Sequence, residues 1–359
     1  MAEAEEIPVD HPRHATALVG HEAVERRLAQ AFASGRPGQA WLISGPRGVG
    51  KATLAYRLAR HALATRPAAN GPDLFGGGGA GEGPMNLHLD PDDPVFHRIA
   101  AASHADLRTI ERRKDDKGRL RREIVIQDVR ALGPFFALTP AEGGRRVAII
   151  DAADEMNRNA ANALLKLLEE PPENALLILI AHVPGWLPPT IRSRCRHIKL
   201  APLPDTAVAD ILMEKRDGIE RAAAETIAGL AEGSPGRAIA LADQDGLGLW
   251  RDVVGLVGDL PRLDVVAVHA FADRLSRRGE EDSFRTAMDM LRTILTRDAV
   301  ARVGGGGADA KPRLPLRLDR AVELWENIGR LVERAERVNL DRKQVVLHAF
   351  TALEGATRS

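Results

Sequence analysis

Residues Gly45 to Lys51 read Gly-Pro-Arg-Gly-Val-Gly-Lys, the spacing G-x-x-x-x-G-K. That spacing suits a phosphate. Glycines let backbone N–H groups turn toward an anion, a following helix adds its dipole, and Lys51 reaches the β- and γ-phosphates. Gly45, Gly48, Gly50 and Lys51 are therefore candidate nucleotide ligands. The next residue should carry a hydroxyl for Mg²⁺, and Ala52 stands there. Thr53 follows about 100° further round the helix and is kept as a weaker candidate. A second chemical group is Asp151, a carboxylate closing the apolar run Val147-Ala148-Ile149-Ile150. Beside a P-loop, that is where Mg²⁺ is held. The same loop also reads as a relic that keeps its shape and binds ATP or ADP weakly or not at all.

These groups need rigid elements behind them. Ala40 to Ser44 is a short apolar strand and Lys51 to about Ala64 a helix, the context a P-loop requires. Val19 to Ser34 has helical spacing of Val24, Leu28, Ala31 and Phe32. Lys114 to Gly118 is expected as a hairpin turn, Ile124-Val125-Ile126 as the next strand, and Gln127 to about Leu138 as a helix capped by Asp128. Arg146 to Asp151 and Ala175 to Ala181 are apolar without alternation, as strands buried on both faces are. Between them a helix begins at Arg158, capped by Asn157 or Asn159, and stops at Pro171-Pro172. A short helix over Thr190–Ser193 leads to a last strand, Arg196 to Ala201.

Helices are expected over 205–215, 219–231 and 234–242, and helical periodicity continues from Leu247. Phe284, Met288, Leu291 and Leu295 make one stripe. Leu318, Val322, Trp325, Ile328 and Val332 make another. Gly304 to Gly307 breaks the pattern, and Asn339 caps a last helix through Phe350. Residues 1–14 read as a tail and 66–94 as a Gly/Pro-rich loop.

The 359 residues carry 50 basic and 50 acidic side chains, which disfavours a stand-alone protein that holds nucleic acid by bulk charge. Aromatics are 4 %, so aliphatic side chains must fill the cores. One cysteine excludes an internal disulfide and a multi-cysteine zinc site. His61, His88, His97 and His104 match no zinc spacing. There is no apolar run of ~18 residues, so a cytoplasmic protein without a membrane anchor is expected.

The string Asn162-Ala163-Leu164-Leu165-Lys166-Leu167-Leu168-Glu169-Glu170-Pro171-Pro172, the triplet Ser193-Arg194-Cys195 and the glycine loop together resemble the clamp-loader branch of the AAA+ ATPases. The resemblance covers roughly residues 15–240. It implies an α/β AAA+ module over 1–201, with a five-stranded, mainly parallel sheet, a helical lid over 202–243 and an all-α collar over 244–359.

It further implies that Arg194 serves in trans on a neighbour's ATP, the alternative being an ion pair within the chain. Arg237, in Gly233-Ser234-Pro235-Gly236-Arg237, would touch nucleotide from above, although turn chemistry alone accounts for the same glycines. Arg158 would lie near DNA phosphate, or simply face solvent. His182 stands where a polar sensor is usual. Active members carry a Glu directly after the Mg²⁺ carboxylate, and Ala152 stands there. Asp154 comes too late to replace it.

The implied protein is a stator of little or no hydrolytic activity, a component of a DNA-directed DNA polymerase holoenzyme. Its partners would be gamma/tau and delta subunits and, through them, the sliding clamp and primer–template DNA. The alternative is an active motor subunit of the gamma/tau type or a related remodeller.

Overall fold

Strands whose side chains are apolar on both faces must be covered on both faces, and that requirement fixes the architecture. The computed structural model describes residues 10–35, 37–65, 86–115, 118, 120–142, 144–303, 314–338 and 340–358. Expectations for 1–9, for most of the Gly/Pro-rich loop, for Gly304–Gly307 and for Asn339 lie outside the described residues.

The chain divides into two compact units, Met1–Ala207 with Gly233–Gly236, and Val208–Glu232 with Arg237–Ser359. In the first, the elements in order are α1 (Glu22–Ala33), β1 (Ala40–Ser44), α2 (Lys51–Ala64), α3 (Pro94–Ala100), β2 (Leu107–Ile110), α4 (Ile126–Arg130), α5 (Leu132–Ala137), β3 (Arg146–Asp151), α6 (Arg158–Glu169), β4 (Ala175–Ala181), α7 (Pro189–Arg194) and β5 (Arg196–Lys199).

The sheet order is β2-β3-β4-β1-β5, and every pairing is parallel. Trp41, Ile43, Val147, Ile149, Ile178 and Ile180 face one way, onto α1, α2 and α3. Leu42, Ala148, Ile150, Leu177 and Leu179 face the other, with α4, α5, α6 and α7. This is the expected α/β module with a five-stranded parallel sheet flanked by helices.

One strand differs. Ile124-Val125-Ile126 is not the fifth strand; β2 is. Ile124 is fully buried, but it makes only an isolated bridge to Met156. The Asp128 carboxylate accepts the Val125 N–H (3.2 Å), which turns the chain into α4 at Ile126. Asp128 is thus the third residue of α4 and not its cap. The expected single helix to Leu138 is broken at Ala131 into α4 and α5. Asn157 is the cap of α6, its Oδ1 accepting from Ala160 N (2.9 Å).

The N-terminal segment is also more tied down than a tail. From Asp10 on it is described, and Arg13 donates to the Tyr56 hydroxyl on α2 (3.1 Å).

After β5 come α8 (Asp205–Lys215), α9 (Arg221–Ala231), α10 (Pro235–Asp243), α11 (Gly246–Gly258), α12 (Val265–Leu275), α13 (Glu281–Val303), α14 (Leu318–Val338) and α15 (Arg342–Arg358). The second unit is helical. Phe284, Met288, Leu291 and Leu295 are all buried, as their spacing predicts. On α14 the buried face is Ala321, Leu324, Ile328 and Ala335, so the expected stripe is rotated. Leu318, Val322 and Trp325 are exposed, and the Arg292 guanidinium stacks on the Trp325 ring at 4.0 Å. The last helix runs on past Phe350 to Arg358. Among the described residues no helix is long and apolar enough to cross a membrane.

Candidate functional site

β1 ends at Ser44, and the chain must turn sharply to start α2 seven residues later. Gly45 (φ +149°) and Gly50 (φ +103°) make that turn. A Cβ on Gly45 would lie 2.6 Å from the Leu200 carbonyl oxygen, so only glycine fits there.

The loop carbonyls are held by the chain itself. Lys51 is 3 % exposed, and its Nζ donates to Gly45 O (2.7 Å) and Pro46 O (2.6 Å). The Ser234 hydroxyl donates to Arg47 O (2.7 Å), Gly236 N–H to Gly48 O (2.9 Å), and the His21 ring through Nε2 to Val49 O (3.1 Å). Five consecutive carbonyls, Gly45 to Val49, thus have partners within the first unit. A Cβ on Gly236 would lie 2.9 Å from Gly48 Cα, which shows how closely the 233–236 segment sits on the loop.

Lys51 and Asp151 are brought together. Burial lowers the Lys51 ammonium from 10.5 to about 8, against the pull of the Asp151 and Asp154 carboxylates, while Arg47 adds to the lowering. Burial raises the Asp151 carboxyl to about 6, reinforced by Glu111 and opposed by Lys51. The residues present fit a bound phosphate through the glycine loop and Lys51, with Asp151 as the group to hold Mg²⁺. They lack the hydroxyl that would complete the metal's shell, because Ala52 offers a methyl group that packs on the core beside β1. Thr53 is half-buried one step round α2, and its hydroxyl has no hydrogen bond among the described residues. Ala152 is buried at 2 % exposure.

Asp154 has a role that the sequence did not disclose. Its carboxylate accepts the backbone N–H of His182 (3.0 Å) and of Val183 (2.7 Å), which pins the turn leaving β4. A charged acceptor on backbone N–H groups is the strong kind of hydrogen bond. The His182 imidazole is pushed down to about 4 by burial and by Lys51 and Arg47, so it is neutral at pH 7. Glu155 ties Arg47 of the loop to Arg112, at 2.7 Å each.

The remaining sequence candidates stand on other elements. Arg158 is exposed at the first turn of α6. Arg194 ends α7, where it donates to Thr190 O (3.0 Å) and pairs with Glu169 (3.0 Å), its side chain 37 % exposed. Arg237 belongs to the second unit and pairs there with Glu232 (3.0 Å). Burial pushes the Cys195 thiol up to about 12, which rules it out as a nucleophile at neutral pH. Among the described residues no cluster of His, Cys, Asp and Glu could hold a metal.

Comparison with known proteins finds sequence likenesses to this part of the chain. Residues 90–204 match the family model described as DNA polymerase III, delta subunit. The chain is 37 % identical over 197 residues to the DNA polymerase III subunit delta' of Pseudomonas aeruginosa, covering 55 % of this chain and 53 % of that protein. It is 32 % identical over 192 residues to subunit delta' of Bacillus subtilis, covering 54 % and 51 %. With the subunit tau of Escherichia coli it shares 32 % over 231 residues, 63 % of this chain and 32 % of that one. The aligned part thus spans about half the length of the delta' relatives. By sequence, the chain is similar to DNA polymerase III subunits of the delta' and gamma/tau kinds.

Proposed function

We propose that this chain is a delta'-type stator of a clamp-loader complex, a cytoplasmic hetero-oligomer that helps load the sliding clamp onto primer–template DNA. Its partners are gamma/tau-type and delta-type subunits. In this reading Arg194 reaches a neighbouring subunit's ATP and stabilises charge developing there, while the chain's own loop is a degenerate ATP/ADP–Mg²⁺ site with little turnover. Lys51 and Asp151, together with Thr53 and Arg237, are what remains of that site, and Arg158 is a contact to DNA backbone. The helices after residue 244 act as the collar that packs against other subunits.

The observation that carries the reading is a contrast. The two positions hydrolysis depends on, 52 and 152, are methyl groups packed into the fold. The Arg194 guanidinium stays on the surface, held among the described residues by a half-exposed carboxylate and one carbonyl. An exposed ion pair of that kind is worth about 0.2–1 kcal/mol. An arginine aimed at a transferring phosphoryl group is worth about 10³–10⁵ in kcat. Releasing Glu169 therefore costs far less than such a contact would gain in the transition state.

The test is ATP turnover by a reconstituted complex carrying Arg194→Ala. Turnover should fall by about 10³-fold at the site Arg194 serves, with the chain's thermal midpoint unchanged. Unchanged turnover refutes the assignment. The proximity of Lys51 and Asp151 favours a second reading, an active motor subunit. Steady ATP hydrolysis by the isolated chain, abolished by Lys51→Ala, would establish that instead.

A further inference from the structure

Away from the nucleotide loop, the second unit carries a groove of its own, about 330 Å³, between α14 and α15. Leu324, Ile328 and Ala349 are buried beneath it, and Leu331 makes a half-buried wall. Above this apolar floor the rim is polar and exposed, with Asn327, Arg330 and Arg334 on α14 and His348 on α15. The chain's net charge is zero, yet among the described residues no carboxylate lines the groove. An apolar concavity with a few polar groups on it is the usual build of a ligand site.

The charge on that rim is left unbalanced. Arg330 and Arg334 stand four residues apart on one helix, where like charges repel. Arg330 is tied to a neutral group, donating to Asn327 Oδ1 (2.7 Å). Arg334 has no ion pair or hydrogen bond among the described residues. Earlier on the same helix the charges are matched, Arg320 pairing with Glu323 (2.8 Å).

α14 also separates two kinds of surface. At about 100° per residue, Leu318, Val322 and Trp325 fall on one flank of the buried face, and Asn327, Arg330 and Arg334 on the other. The first flank is an exposed apolar stripe, the composition of a packing face between subunits, from whose core charge is depleted. The second is concave and cationic, which calls for an anionic occupant with an apolar body.

We propose that the groove between α14 and α15 docks a short acidic peptide segment of a protein partner other than the clamp-loader subunits. Its large apolar side chains sit on Leu324, Ile328 and Leu331, and its carboxylates pair with Arg330 and Arg334. Guanidinium forks match carboxylate oxygens two at a time, and an anion lying across the two arginines turns their repulsion into attraction. An amphipathic segment laid in an apolar groove is a recurrent mode of peptide recognition. Only the exclusion of clamp-loader neighbours as occupants rests on the function proposed above; the groove and its charge do not.

The experiment is fluorescence anisotropy of the fluorescein-labelled peptide Glu-Glu-Leu-Glu-Glu-Phe-Glu-Glu with the 359-residue chain. Two seated apolar side chains and two exposed ion pairs set the expected Kd at about 10⁻⁶–10⁻⁴ M. Arg330→Gln/Arg334→Gln should weaken binding about tenfold, and Arg330→Glu/Arg334→Glu should weaken it further. Both positions are exposed, so the thermal midpoint should not move. The analogue with Ser in place of Leu and Phe should not bind. No binding by the wild type, or binding that the double variants leave unchanged, overturns the inference. An analogue with Gln in place of every Glu that binds as tightly overturns the acidic character of the ligand. A dimer by light scattering that the Glu variants dissolve places a second copy in the groove. Release of the peptide on adding gamma/tau-type and delta-type subunits places a neighbour there. Either result overturns the assignment to a separate partner. The ATPase of the reconstituted Arg194→Ala complex reads the stator role independently, so failure of one does not imitate failure of the other.

Discussion

Lys51 offers the sharpest quantitative test of how the glycine loop is built, because two large effects oppose each other there. In its favour are two hydrogen bonds from a charged donor, at 2.7 and 2.6 Å. Each such bond contributes about 1.5–3 kcal/mol. Against it is burial: the side chain is enclosed, and its pKa falls from 10.5 to about 8. That fall corresponds to about 3 kcal/mol of discrimination against the charged form. The two partly cancel, so Lys51→Met, which keeps the shape and drops both, should lower stability at pH 7 by about 0–3 kcal/mol.

The pH dependence follows from the same numbers. The folded pKa lies below the unfolded one, so between about 8 and 10.5 the unfolded chain binds more protons and stability rises with pH. Below pH 8 the ammonium is charged in both states and the curve is flat. The free energy of urea unfolding, wild type minus Lys51→Met, should therefore gain about 2 kcal/mol from pH 8 to 9.5. Subtracting the variant cancels the groups that Lys51 does not touch, and Asp151 and His182, which it does, titrate below that window, at about 6 and about 4. A difference that is flat across pH 8–9.5, or that falls, refutes the account of a desolvated, self-satisfied lysine.

Two further predictions concern how the first unit is held together. Gly236→Ala puts a Cβ 2.9 Å from Gly48 Cα, a backbone atom with no freedom to move. It should cost about 1–3 kcal/mol in a thermal melt, whereas Gly255→Ala, on α11 with open space around it, should cost nothing. Arg57→Met strands the Glu25 carboxylate, since both side chains are about 5 % exposed. The loss should be about 3–5 kcal/mol, and Glu25→Leu on the same chain should recover most of it.

The parts of this fold that were legible in the sequence are those where one physical demand dominates. β1, β3 and β4 are apolar on both faces, and their bounds follow from that alone. β2 escaped because it is an edge strand carrying Arg108 and Thr109, while the more apolar Ile124-Val125-Ile126 next to it looked the better strand. What decided between them is a side chain, Asp128, whose bond to Val125 N–H no periodicity reveals. On α14 the spacing gave a helix but not its phase. Trp325 lies outside the buried face, where the guanidinium of Arg292, more than thirty residues earlier, stacks on its ring. The candidate site divides the same way. The glycine loop and Asp151 were recognisable from spacing, whereas the contacts of His21, Ser234 and Gly236 with the loop join residues up to 188 positions apart.

Those long-range contacts bear on why a glycine loop with a buried lysine can stand in a chain that lacks two hydrolytic side chains. If the loop existed only to hold nucleotide, its carbonyls would be indifferent to the rest of the unit. Instead Gly45 to Val49 accept bonds from His21, which precedes α1, from α2's first residue and from the 233–236 segment. The loop is thereby a joint at which three stretches of chain meet, its carbonyls held by the chain's own donors. The same economy holds at Asp154, whose carboxylate is committed to two backbone N–H groups and so is not poised to activate water. A unit wired in this way holds its loop and the turn leaving β4 by its own hydrogen bonds, which is what the proposed stator role would require.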